Sequence, residues 1–213
     1  MKNKSKIYIL IIIICIIADI YFLGKIWSTS RVNIRKPVLY LYPETETNVD
    51  VKFARPELLT TTYPKFDSSW SVTVKPNGDM YDESGRYYYV LYWEAKGSKL
   101  KNFKEGFYVE KDEAIDFLEE KLGILGLNER ESNEFIMYWL PVLEQNEKSL
   151  VYFETTESLE KKNKLIISPK PDSLLRINMH VKKVSKKTSI NEQDLPHFER
   201  KGFTAIEWGG IKY

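Results

Sequence analysis

Three acids stand beside aromatic residues at the ends of strand-like runs. Glu94 closes "YVLYWE", Glu207 lies in "AIEWGG", and Glu44 follows "YLYP". Two carboxylates across a cleft are the minimum for glycoside hydrolysis, one donating a proton and the other acting as base or nucleophile. Aromatic surroundings would raise one of the two by desolvation. The same residues can bind without reacting. Trp93 and Trp208, next in sequence to Glu94 and Glu207, can stack on sugar rings while the carboxylates accept hydroxyl hydrogen bonds. A structural role at a strand end comes ahead of both, with binding next and catalysis last.

A second constellation lies in "SLLRINMHVKKV". Leu175, Ile177, Met179 and Val181 alternate with Arg176, Asn178, His180 and Lys182, so the pattern predicts a strand with an apolar inner face and a polar outer one. A basic row spaced by two can contact phosphates or carboxylates of an anionic polymer. It can equally keep an edge strand soluble, which is the reading preferred here. The candidate ligand-binding set is therefore Trp93, Glu94, Glu207, Trp208, Arg176 and His180, with Glu94, Glu207 and Glu44 as the catalytic candidates.

Other chemistry has little to stand on. The chain has two histidines and one cysteine. His197 reads as a loop residue, and Cys15 sits in an apolar run, so no thiol serves the rest of the chain. No metal site and no cofactor are expected. Walker A, G-x-G-x-x-G, G-x-S-x-G, H-E-x-x-H and C-x-x-C signatures are missing.

The elements that would position these residues read as follows. "KPVLYLYPE" is a strand apolar on both faces and so a central one, bracketed by Pro37 and Pro43. "NVDVKF" and "WSVTV" alternate cleanly, with Val49, Val51, Phe53 and Trp70, Val72, Val74 facing in. Asn77-Gly78 is a hairpin signal, and it predicts that "WSVTV" pairs with one continuous aromatic strand through "YYYVLYWE". Two helices follow. The first has Asp112 as N-cap, Gly123 at its end, and Ile115, Leu118 and Leu122 on its stripe. The second opens on an Asn128/Glu131 capping box, buries Phe135, Trp139 and Leu143, and should kink or stop at Pro141. Strands return in "LVYFET", "KLIISP", the Arg176 strand and "FTAIEWGG", with a polar loop before the last. The expected fold is α+β, a mostly antiparallel sheet or sandwich with two inserted helices.

Residues 7–27, "IYILIIIICIIADIYFLGKIW", approach the length that crosses a bilayer and lack a small-residue cleavage site. They are expected to be a retained single-pass anchor, preceded by a short cytoplasmic tail. Asp19 near the far end is taken as an interfacial residue. The organisation is then tail and anchor over 1–27, a linker over 28–35, and one domain over 36–213, expected outside the cell membrane because a short basic tail stays in the cytoplasm. The net charge is +2, of which residues 1–30 carry +3, four lysines against Asp19, leaving −1 for the rest. A near-neutral domain excludes broad nucleic-acid binding.

As an ordered set, "KPVLYLYPE", "YVLYWEAKG", "GFYVE", "FIMYWLPVLEQN" and "FTAIEWGG" resemble an uncharacterised family of microbial proteins, over about residues 36–210. The resemblance implies a shared fold, often exported or membrane-tethered. It implies no activity and no catalytic residues. The expected function is binding or scaffolding at the cell envelope, with a glycan or anionic wall polymer as ligand. The alternatives are a two-carboxylate envelope hydrolase and an accessory subunit of a membrane complex.

Overall fold

The computed structural model describes residues 34–97 and 102–213, together with Ile14, Ile16 and Asp19. In chain order the strands are β1 (Arg35–Tyr42), β2 (Thr47–Phe53), β3 (Leu59–Tyr63), β4 (Trp70–Val74), β5 (Met80–Tyr81), β6 (Tyr87–Tyr88), β7 (Leu91–Ala95) and β8 (Glu105–Glu110). Helices α1 (Ala114–Ile124) and α2 (Glu129–Glu144) follow, then β9 (Lys148–Thr155), helix α3 (Thr156–Lys162), β10 (Leu165–Ser168), β11 (Ser173–Lys183), β12 (Asn191–Glu192) and β13 (Thr204–Lys212). The α+β class is as expected.

The strands form two sheets. The larger runs β12-β8-β9-β11-β13-β1-β7-β3 and the smaller β10-β2-β4-β5-β6. Pairing is antiparallel except for β11 with β13 and β12 with β8. Register sets the layers. Leu39 lies opposite Leu91 and Glu207, whereas Val38 lies opposite Tyr92 and Trp208. Directly paired residues share a face. One face therefore carries Leu39, Leu41, Leu91 and Trp93, which pack on Val49, Val51, Phe53 and Val72 of the small sheet. The other carries Val38, Tyr40, Ile177, Met179 and Trp208, which pack on Leu118, Leu122, Phe135 and Trp139 of the helices. The order of layers is small sheet, large sheet, helix pair.

The cleanly alternating strands bury the side chains their pattern requires. The Asn77-Gly78 turn forms, with Gly78 at φ +89° and its N–H donating to the Lys75 carbonyl at 2.9 Å. Its partners differ from expectation. β4 pairs with the short β5, not with the aromatic stretch. That stretch is two strands, because the chain leaves the small sheet after Tyr88 and enters the large one at Leu91. The alternation changes phase at the crossing: Tyr88 is buried, Tyr87 and Tyr89 are exposed, and Leu91 and Trp93 are buried.

Both halves of the Asn128/Glu131 capping box form, at 2.9 and 3.0 Å, and α2 buries Phe135, Trp139 and Leu143. Pro141 does not end the helix. Its ring removes one donor on the side of exposed Met137, where water can serve the freed carbonyl, and the helix runs on to Glu144. α1 also departs from expectation. A short 3-10 turn precedes it, with Glu110 rather than Asp112 as the cap; it passes Gly123, and Ile115 is exposed. Gly126, at φ +81°, follows its end. Helix α3 was not expected, since seven residues are too few to display a helical apolar period.

The domain begins slightly earlier than the 28–35 linker predicts, because the Ile34 N–H donates to the Ala95 carbonyl at 3.0 Å. Pro37 lies inside β1, at a bulge where Lys36 adopts φ +49°. The proposed anchor at 7–27 lies outside the described residues apart from Ile14, Ile16 and Asp19. Among the described residues no helix is long and apolar enough to cross a membrane.

Candidate functional site

The polar residues in the middle of β11 are buried, not solvated. Arg176 is 1% exposed, Asn178 1% and His180 0%. The expected outward row is corrected by the position of its strand. β11 lies inside the large sheet between β9 and β13, so it is no edge, and both of its faces are covered. Only Lys182, near its end, is half-buried.

Each buried polar group has been given partners by the register. Arg176 stands opposite Glu207. Its Nη2 donates to both Glu207 oxygens at 3.0 and 3.2 Å, and its Nε donates to Oε1 at 3.2 Å. Its Nη1 donates to Glu160 at 2.6 Å and to the Asn163 carbonyl at 2.7 Å. A fork donor can meet one carboxylate twice and still have a nitrogen for another. Burial pushes the Glu207 carboxyl up, and Arg176 opposes that rise. The Trp93 indole lies close to the same carboxylate but short of hydrogen-bond geometry.

Glu154 forms the second cluster. It pairs with Asn178 across β9 and β11, so both point to the face that carries Arg176. Lys162 donates to it at 2.7 Å, and the Ser158 hydroxyl donates to its Oε1. His180 Nε2 lies 3.2 Å from Oε2, and His180 Nδ1 lies 2.7 Å from the Tyr213 hydroxyl. Burial alone would raise the Glu154 carboxyl. His180, Lys162 and Ser158 outweigh it and hold the group well below the ordinary carboxylate range. An acid kept so firmly ionised accepts hydrogen bonds and does not serve as a proton donor.

Between these clusters, α3 and β7 a cavity of about 570 Å³ opens. Trp93, Ala95, Arg176 and Asn178 come from the large sheet, and Leu159, Lys161 and Lys162 from α3. Three buried polar atoms of side chains that line it, Asn178 Oδ1, Asn163 Nδ2 and Trp93 Nε1, have no hydrogen-bond partner. Such groups are rare enough in native folds to require a reason. At the rim the ion pairs are of another kind. Arg55 meets Glu57 at 3.3 Å and Lys161 meets Glu157 at 2.7 Å, with every one of these side chains more than half exposed. Lys96 is exposed and has no acidic partner among the described residues.

The structure separates the three acids that the sequence suggested. Glu207 points to the cavity side and is locked to Arg176. Glu94 follows the register of Tyr92 and Val38 and so points to the helix side. It lies beside Tyr92, whose hydroxyl burial and the Glu94 carboxylate push up to about 12. Glu44 is exposed in the β1–β2 connection. It stands five residues beyond Leu39, roughly 16 Å along the chain from the position opposite Glu207. Trp93 lines the cavity, but Trp208 is core on the far face, 5.2 Å from the Phe135 ring. Glu154, Asn163, Lys161, Arg55 and Lys96 were not foreseen. Only Glu154 left a signal, as an acid closing the apolar run "LVYFE". Among the described residues, no group of three or more His, Cys, Asp or Glu is placed to hold a metal ion. Comparisons of the chain with protein-family models, curated proteins and solved structures find no match.

Proposed function

We propose that the protein is a membrane-anchored binding domain facing the outside of the cell envelope, and that the cavity beside Trp93 takes a unit of a glycan or anionic polymer. The observation that carries this reading is the cavity's division of labour. Two of its cations, buried Arg176 and exposed Lys162, are committed to buried acids. Its rim cations, Arg55, Lys96 and Lys161, are committed to exposed acids or to none. Exposed pairs contribute about 0–1 kcal/mol and are readily exchanged for a ligand anion. The unpartnered Asn163 and Asn178 atoms suit hydroxyl or carbonyl groups of a sugar.

The test is calorimetric titration of the full-length protein in detergent micelles, with hexuronate-containing oligosaccharides against neutral ones of equal length. The acidic series should bind more tightly, and Arg55→Glu with Lys161→Glu should weaken it by about tenfold, or ~1.4 kcal/mol. Equal binding of both series, untouched by the double variant, would end this reading. Protease added to intact spheroplasts tests the orientation, since it should remove the domain without lysis.

A further inference from the structure

We infer that the anion entering this cavity is presented by the bilayer that carries the chain's own anchor, as the headgroup of an anionic lipid bearing free hydroxyls. The inference rests on the anchored, anion-binding part of that reading and takes a lipid headgroup of the same charge and hydroxyl chemistry, in place of a polymer unit, as the occupant. Three observations carry it.

The first is reach. Ile34 lines the cavity, and six residues, 28–33, separate it from Trp27 at the end of the apolar run. Seven residue steps, fully extended, span about 25 Å. The cavity is therefore held within about that distance of the membrane surface. A lipid headgroup is delivered by such a tether, whereas a dissolved ligand gains nothing from it.

The second is the placement of charge. The available cations are at the rim, whereas Arg176 inside and exposed Lys162 are held by buried acids. Arg55 and Lys161 share exposed acids, and Lys96 stands alone among the described residues. One phosphodiester charge fits at such a rim. A multiply charged group carried further in would meet Glu154, which is 1% exposed and ionised.

The third is the inner wall. Beyond the rim the unpartnered atoms of the lining side chains are neutral, the donors Asn163 Nδ2 and Trp93 Nε1 and the acceptor Asn178 Oδ1, each buried, so that a hydroxyl meets them on a turn of the side chain. A hydroxyl both donates and accepts. A glycerol-type headgroup thus satisfies anion and wall together.

The experiment uses the full chain in nanodiscs of phosphatidylcholine alone or phosphatidylcholine with phosphatidylglycerol. Lysine acylation is read by mass spectrometry at Lys96 and Lys161, with the remote, exposed Lys65 as reference. A further arm adds dissolved glycerol phosphate, and another an acidic oligosaccharide, to the phosphatidylcholine discs. Labelling of Lys96 and Lys161 should fall several-fold in the phosphatidylglycerol discs, and less with dissolved glycerol phosphate or the acidic oligosaccharide, which meet the same rim without the tether. Arg55→Glu, an exposed change, should reduce that protection, and Asn178→Leu should abolish it. Protection by a dissolved compound with none in phosphatidylglycerol discs would overturn the membrane source and leave the binding reading standing. No protection in any arm would overturn both. Full protection in a folded Asn178→Leu protein would show general attraction to the surface and overturn the inference. Should that variant not fold, unchanged protection in Arg55→Glu would do the same.

Discussion

The two faces of β11 are buried to the same degree by different means. Ile177, Met179 and Val181 are 0% exposed against the helix pair, and His180 is 0% and Arg176 1% exposed on the cavity side. The apolar face gains from area removed from water, a term that asks only for close neighbours. The polar face gains only if every charge is answered. Moving a guanidinium out of water is costly, and Glu207, Glu160 and the Asn163 carbonyl are what offset it. An apolar face can therefore be built from many interchangeable residues. A polar face commits several strands and a helix to specific partners, and that is where a cavity with unpartnered atoms has been left.

This contrast breaks most sharply at Arg176. Arg176→Ala should destabilise the domain by about 3–5 kcal/mol in urea denaturation, because Glu207 is left buried and unpaired. Arg176→Met with Glu207→Leu should recover most of that loss. A double variant as unstable as the single one would mean that the face depends on shape more than on charge.

Glu154→Gln is expected to cost about 1–3 kcal/mol at neutral pH, since Lys162 and His180 lose a charged acceptor. The pH dependence follows from the depressed carboxyl. A group lowered in the folded state stabilises fully above its ordinary value of 4.5 and loses that contribution as pH falls below it. The gap between wild type and Glu154→Gln should therefore narrow on acidification. A constant gap would deny the ionised role.

Away from β11 the effects become local. Gly78→Val should cost about 1–3 kcal/mol, because φ +89° is strained for a β-branched residue. The added Cβ would also stand 2.7 Å from the Tyr42 ring. An unchanged melting temperature would contradict the turn. On the apolar face, Ile177→Val should cost about 1 kcal/mol by loss of one methylene. At the rim, Glu57→Gln should change stability by less than about 1 kcal/mol, and a larger loss would erase the distinction between rim and wall.

How much of this was legible in the sequence depended on the range of the interaction. The Asn128/Glu131 box, the Asn77-Gly78 turn and the alternation of β2 and β4 are decided by residues a few positions apart, and they could be read directly. The Phe135, Trp139 and Leu143 face of α2 follows from its period alone. The aromatic stretch could not be read as a unit, because its break at Tyr89-Val90 comes from two sheets that compete for the same chain.

The candidate site shows the same limit more strongly. Residue types alone marked Arg176, His180, Glu207 and Trp93 as unusual within strand patterns. Whether Arg176 faced water or an acid was settled by the pairing of β11 with β13, thirty-one residues apart in the chain at Arg176 and Glu207. Glu94 and Glu207 look alike in sequence, each an acid beside a tryptophan. Register sends them to opposite faces of one sheet. Period-two alternation tells which residues share a face, but not what covers that face. That second fact belongs to the layers, and here it turned a polar row that could have been solvated into the wall of a cavity.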